Sequence, residues 1–146
     1  MSSRRRRSPA RLILRRREQT RYPPWAFGFH LSMDEIIAAI PKLSSTPSVL
    51  EGEGHLHSLF LQYHDVFHHV EMQMALQSDA FGWKWATIDA EPCYVNGGQR
   101  TVLSLFKCTR PSKDFLPEDD KLDVMKKIMA EAGFTKEPAW YRVAAQ

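Results

Sequence analysis

Five of the six histidines lie between residues 55 and 69: His55, His57, His64, His68 and His69. No other reactive side-chain type clusters in this way. On one continuous helix, at about 100° per residue, His57, His64, His68 and Glu71 fall on a single line, while His55 and His69 point elsewhere. His64, His68 and Glu71 follow one another by one turn and could share an ion; His57 is nearly two turns further away. Two neutral imidazoles and a carboxylate suit zinc or iron(II) and leave positions for a water that the metal would acidify. The segment His64-Asp65-Val66-Phe67-His68 departs from the His-Glu-x-x-His pattern of metalloproteases where the chemistry is done. Asp65 stands in place of the general-base Glu, and no histidine follows His69. Two alternatives compete with a metal site, a bland one and a pH-responsive or catalytic histidine. Histidines are tolerated at the border of a half-exposed helix. They also titrate near neutrality, and the pairs His68 with Glu71 and His69 with Asp65 stand at helical neighbour spacings that strengthen when His is charged.

A second candidate is electrostatic. Residues 1–21 hold nine arginines, Arg4, Arg5, Arg6, Arg7, Arg11, Arg15, Arg16, Arg17 and Arg21, against one acid, Glu18, for a net +8. The chain sums to +3, so the remaining 11 basic and 16 acidic residues give a body of −5. Such an arm repels itself and buries little, so it is predicted to be disordered when unbound. Arg4 to Arg7 and Arg15 to Arg17 are suited to an anionic polymer or acidic partner, with affinity from counterion release and no base specificity. They also read as a nuclear-targeting pair, or, with the surrounding Arg and Ser, as a mitochondrial presequence. Ser8, between Arg7 and Pro9, is a candidate phosphosite that would remove nearly two charges. The acidic body does not look like a sequence-specific nucleic-acid reader.

Other signatures are absent. There is no Gly-x-Gly-x-x-Gly, phosphate loop, Gly-x-Ser-x-Gly elbow or Cys-x-x-Cys, so no cofactor is expected unless zinc or iron occupies the histidine line. Trp83-Lys84-Trp85 would set two indoles on one strand face, for a planar ligand or for the core. Cys93 and Cys108 are expected to remain unpaired core thiols. No apolar run approaches the roughly 18 residues of a membrane span. Leu12-Ile13-Leu14 is too short for a secretory signal, so an intracellular protein of the nucleus, cytoplasm or mitochondrion is expected.

The elements that must position these residues can be read in order. With 146 residues, 43% hydrophobic and 25% charged, the chain suits one domain. Residues 1–24 read as the arm plus a Tyr22-Pro23-Pro24 hinge, and 25–146 as the folded body, with Trp25, Phe27 and Phe29 docking from an extended linker. Ser32 and Glu35 form a capping box for a helix whose Met33, Ile36, Ile37 and Ile40 face inward and which Pro41 stops. A helix over 55–77 buries Leu56, Leu59, Phe60, Tyr63, Val66, Phe67, Val70 and Met74. A strand over 83–88 is followed by a hairpin from Cys93 to Thr109 turning at Asn96-Gly97-Gly98. A helix over 118–132, with Leu122, Met125, Ile128, Met129 and Ala132 inward, ends at Gly133, and Trp140 to Val143 make a closing strand.

The predicted fold is therefore α+β: one small antiparallel sheet of three to five strands packed by about three helices. The predicted function is non-enzymatic binding, through a protein partner and the Arg-rich arm. The alternatives are a small His/Glu metal-dependent enzyme and an α+β domain with a small-molecule pocket between sheet and helices. Oligomeric state stays open.

Overall fold

Trp25–His30 is a strand, β1, and not a docked linker: it is hydrogen-bonded on both sides and buried from Ala26 to Phe29. In the computed structural model, which describes residues 24–48, 52 and 54–144, it is followed by α1 (Met33–Leu43), α2 (His55–Phe81), β2 (Asp89–Val95), β3 (Gly98–Cys108), α3 (Asp119–Glu131) and β4 (Ala139–Val143). The expected arm, with Arg4 to Arg7, Ser8 and Arg15 to Arg17, lies outside the described residues, as do Tyr22 and Pro23 of the hinge.

All strand pairs are antiparallel, in the order β4-β1-β3-β2. This is the split β-α-β arrangement with one extra helix in the first crossover. The outer strands also meet, at Cys93 with Val143 and Tyr94 with Arg142, so the sheet curls closed. One face is covered by the three helices, around Phe27, Phe29, Leu103, Leu105, Val66, Val70, Met74, Met125 and Met129. The other, concave face holds a smaller cluster of Ala26, Cys93, Val95 and Val102, with Tyr141 and Val143 against it. The expected α+β domain with three helices and a small antiparallel sheet is what the chain forms.

Local chemistry explains most boundaries. Ser32 caps α1 by accepting from the Glu35 amide, and Glu35 binds back to the Ser32 hydroxyl at 3.0 Å. Glu35 also accepts from the Thr135 amide and from Lys136 Nζ, each at 3.0 Å, tying α1 to the loop before β4. Pro41 does not stop α1. It sits in the last turn, where it removes a single backbone donor, and the helix closes only when the Ser44 amide reaches the Ile40 carbonyl. At the hairpin, Val95 pairs with Gly98, leaving Asn96 and Gly97 as a two-residue loop with φ of 50° and 83°, as a type I′ turn requires.

The segment 83–88 is a turn region and not a strand. Gly82, at φ 69°, ends α2 with a Schellman pair, its own amide reaching Asp79 and the Trp83 amide reaching Ser78, and the chain then folds back. Trp83 and Trp85 both meet Phe106, each at 6.5 Å between ring centres, so the alternation reflects a shared aromatic neighbour and not a ladder.

One register shift matters to everything beyond it. Phe27 pairs with Phe106 but Gly28 pairs with Ser104, so Leu105 is a bulge. A Cβ on Gly28 would run into the carbonyl of Leu103. Gly28→Ala should therefore destabilise the domain by about 1–3 kcal/mol, the usual cost of overpacking, read as a lower urea midpoint with an unchanged slope.

Candidate functional site

α2 carries the histidines, and its burial differs from the predicted stripe. The buried residues are Ser58, Gln62, Val66, Val70, Met74 and Ser78, one every four residues. A four-residue step advances about 40° around a helix each time, so the buried line winds from one side of α2 to the other. Leu56 and Phe60, expected inside, are 76% and 67% exposed, and Met33 and Ile37 of α1 are exposed as well. Of its polar members, Ser58 and Ser78 donate to carbonyls of α2 itself, while Gln62, with Asp65 beside the line, binds the chain that follows α1. Buried Gln62 donates to the Thr46 carbonyl at 3.2 Å and to Ser48 Oγ at 2.9 Å. Asp65 accepts from Ser44 Oγ at 2.8 Å and Thr46 Oγ1 at 2.7 Å, and these hydroxyls hold its carboxyl below the ordinary carboxylate range.

This placement decides how the histidines stand. His64 and His68 are exposed and stacked, with ring centres 6.2 Å apart and planes 14° from parallel. Glu71 is not drawn in with them: among the described residues no group of three His, Cys, Asp or Glu side chains stands together as a metal would need. Asp65 is committed to two hydroxyls, and among the described residues neither His68 with Glu71 nor His69 with Asp65 forms an ion pair. His57 is exposed one end of the helix away, and His69 lines a cavity of about 280 Å³ with Lys42, Leu43 and Glu131.

A larger cavity, about 450 Å³, opens where α1 and α2 meet the start of β3. Leu31, Met33, Ile36, Tyr63 and Phe67 give it an apolar lining, and Gln99, Arg100 and Thr101 close one side. Tyr63 and Phe67 continue the helical row that begins at exposed Leu56 and Phe60, so the cavity and the exposed apolar turns share one face of α2.

The concave face of the sheet holds a second polar group of residues. The bulge at Leu105 returns Lys107 to this face, opposite Ala26. There its ammonium lies 2.6 Å from Glu91 Oε1 and 3.1 Å from Asp89 Oδ2. Burial alone would lower the Lys107 pKa, but the hydrogen bonds to Glu91 and Asp89 outweigh it and the net shift is upward. Asp89 is raised, by burial first, against the opposing pull of Lys107. Around this triad stand the buried side-chain atoms without a hydrogen-bond partner among the described residues: His30 Nε2, Asp89 Oδ1 and Ser104 Oγ. Ser104 is the cross-strand partner of both Asp89 and Gly28, so two of the three sit side by side. Asp89, Glu91 and Cys93 at alternate positions, and a lone lysine in the apolar run of β3, were the sequence signals for this face; the bulge that unites them leaves no such mark.

Both thiols are free. Burial pushes Cys93 up to about 11, and Cys108, half-buried, is raised for the same reason. Trp85 is 41% exposed, with Lys84 Nζ 5.2 Å from its ring centre; it packs on Phe115 at 5.1 Å and, with Trp83, lines a cavity of about 270 Å³. Compared with known protein families, curated proteins and solved structures, the chain shows no significant match.

Two outcomes are expected here. Lys107→Met should lose about 1–3 kcal/mol at neutral pH, because it strands two partly buried carboxylates. In that variant Asp89, already raised by burial, also loses the opposing pull of Lys107, so its folded-state pKa climbs further above the unfolded value and the deficit should shrink as pH falls through the carboxylate range; denaturant melts at a series of pH values would show it. In native thiol titration at pH 8, Cys108 should react and Cys93 should wait for unfolding, since a thiol at about 11 is ionised in roughly one molecule per thousand.

Proposed function

We propose that this chain is a non-enzymatic intracellular binding protein. Its body docks an apolar segment of a protein partner, and its Arg-rich N-terminal segment supplies electrostatic attachment or targeting. The observation behind the first half is the exposure of Leu56 and Phe60, one turn apart and continuous with Tyr63 and Phe67. Single apolar residues on a surface are ordinary, but a row at helical spacing is the pattern that an amphipathic helix lays against a partner's apolar surface. The second half rests on charge: a +8 segment joined to a −5 body keeps attraction to polyanions in the arm. The nucleus, the cytoplasm and the mitochondrion all fit that arm. A metal-dependent reaction at His64, His68 and Glu71 has no convergent ligand set behind it.

A second reading, a small-molecule-binding α+β domain, is favoured by the cavity of about 450 Å³, which falls in the range of ligand pockets at about 300–1,000 Å³.

Binding of the full chain to a defined duplex DNA, used as a plain polyanion, tests the arm. The logarithm of affinity should fall linearly with the logarithm of salt concentration with a slope of about −4 or steeper. Replacing Arg4, Arg5, Arg6, Arg7, Arg15, Arg16 and Arg17 by Ser should flatten that slope towards zero. Unchanged binding by the seven-site variant would remove the arm from the reading. For the body, a photo-crosslinking residue at Phe60 should yield a discrete adduct in cells that the same residue at exposed Asp119 does not.

A further inference from the structure

We propose that the cavity between α1, α2 and the start of β3 takes a small amphipathic anion, an apolar body with an acidic head, and that Arg100 receives the head. This deepens the small-molecule reading and rests on it.

The apolar part follows from the lining. Leu31 and Ile36 are fully buried core residues that form the floor, while Met33, Tyr63 and Phe67 rise from it at the border of solvent. Polar groups are confined to one side, as in pockets that hold a ligand by its apolar bulk and orient it by a few polar contacts.

The charge of the head follows from how each ionisable group at that side is already engaged. Arg100 is exposed, its guanidinium donates to the neighbouring carbonyl of Gln99 at 2.8 Å, and among the described residues no carboxylate forms an ion pair with it. Glu35, like Arg100, lies within electrostatic reach of His30. It is fully used by the Ser32 hydroxyl, the Thr135 amide and Lys136, and those bonds, overcoming the opposing effect of burial, hold it below the ordinary glutamate range. His30 lies within reach of the same charges. Burial first, then Lys136 and, more weakly, Arg100 lower its pKa against the raising effect of Glu35, so it adds no positive charge at neutral pH. Lys136 and Glu35 offset each other, and Arg100, the charged residue of the cavity lining, has no ion-pair partner among the described residues. A carboxylate is the natural complement to a planar guanidinium fork, and the bond is charge-assisted.

Octanoate, octanol and octylamine are the probes, each titrated into the isotope-labelled full chain and followed by backbone amide shifts. Octanoate should shift Leu31, Tyr63, Phe67 and Thr101 and bind at least about tenfold more tightly than octanol, with octylamine weakest. Arg100→Gln should bring octanoate to the level of octanol and leave octanol unchanged. Met33→Trp, at an exposed helical position, should block all binding while the remaining amide spectrum stays native. If none of the three probes shifts a cavity residue at millimolar concentration, the small-molecule reading itself fails. If octanoate and octanol bind alike, or Arg100→Gln keeps their difference, the cavity stands and the assignment of an acidic head to Arg100 is overturned.

Discussion

The close approach of β1 to β3 at Gly28 governs more of this domain than any single core contact. The strand backbones come so near that a side chain at Gly28 would collide with the Leu103 carbonyl, and at the same place the partner strand carries one extra residue, Leu105. That extra residue changes which way every later side chain of β3 faces. Leu103, Leu105 and Phe106 all serve the helix-covered core, and Lys107 turns to the concave face to meet Asp89 and Glu91. Without the bulge, strict alternation would turn Lys107 towards the apolar, helix-covered core.

The helical layer answers to a different constraint. α2 is longer than the sheet it covers, and its contact line advances by four residues per turn, so the underlying neighbours change along its length. Val66, Val70 and Met74, in its middle and second half, all lie in the helix-covered core. The opening turns lose their apolar neighbours, which is why Leu56 and Phe60 are left in solvent although their types suggest otherwise. Gln62 and Asp65 gain a use in the same way, as fasteners for the residues after α1.

Much of this was legible in the sequence. The Ser32–Glu35 box, the Asn96-Gly97 turn, the buried face of α3 around Met125 and Met129, and the unpaired cysteines all follow from local rules that the fold does not overrule. The failures have a common physical origin. Helical periodicity says which side of α2 is apolar, but whether another element covers it depends on crossing geometry, so Leu56 and Phe60 were misplaced. Trp83 and Trp85 alternate like strand residues because both reach Phe106, a contact made across the fold. The polar concave face was invisible because a bulge, which carries no composition of its own, aligns residues far apart in the chain. The cavity likewise assembles from Leu31, Tyr63 and Arg100, residues unremarkable until three elements meet.

The seat of β1 bears on how the domain handles force. The N-terminal segment enters the fold directly at Trp25, and β1 is bonded to β3 on one side and β4 on the other. Tension along that segment is thus delivered to a strand of the closed sheet, with ladders on both flanks sharing it. A body held to a partner through α2 and tethered by its N-terminal segment would pass that load from β1 to α2 across the core shared by Phe27, Phe29, Val66 and Val70, so side-chain packing as well as the ladders would resist the pull.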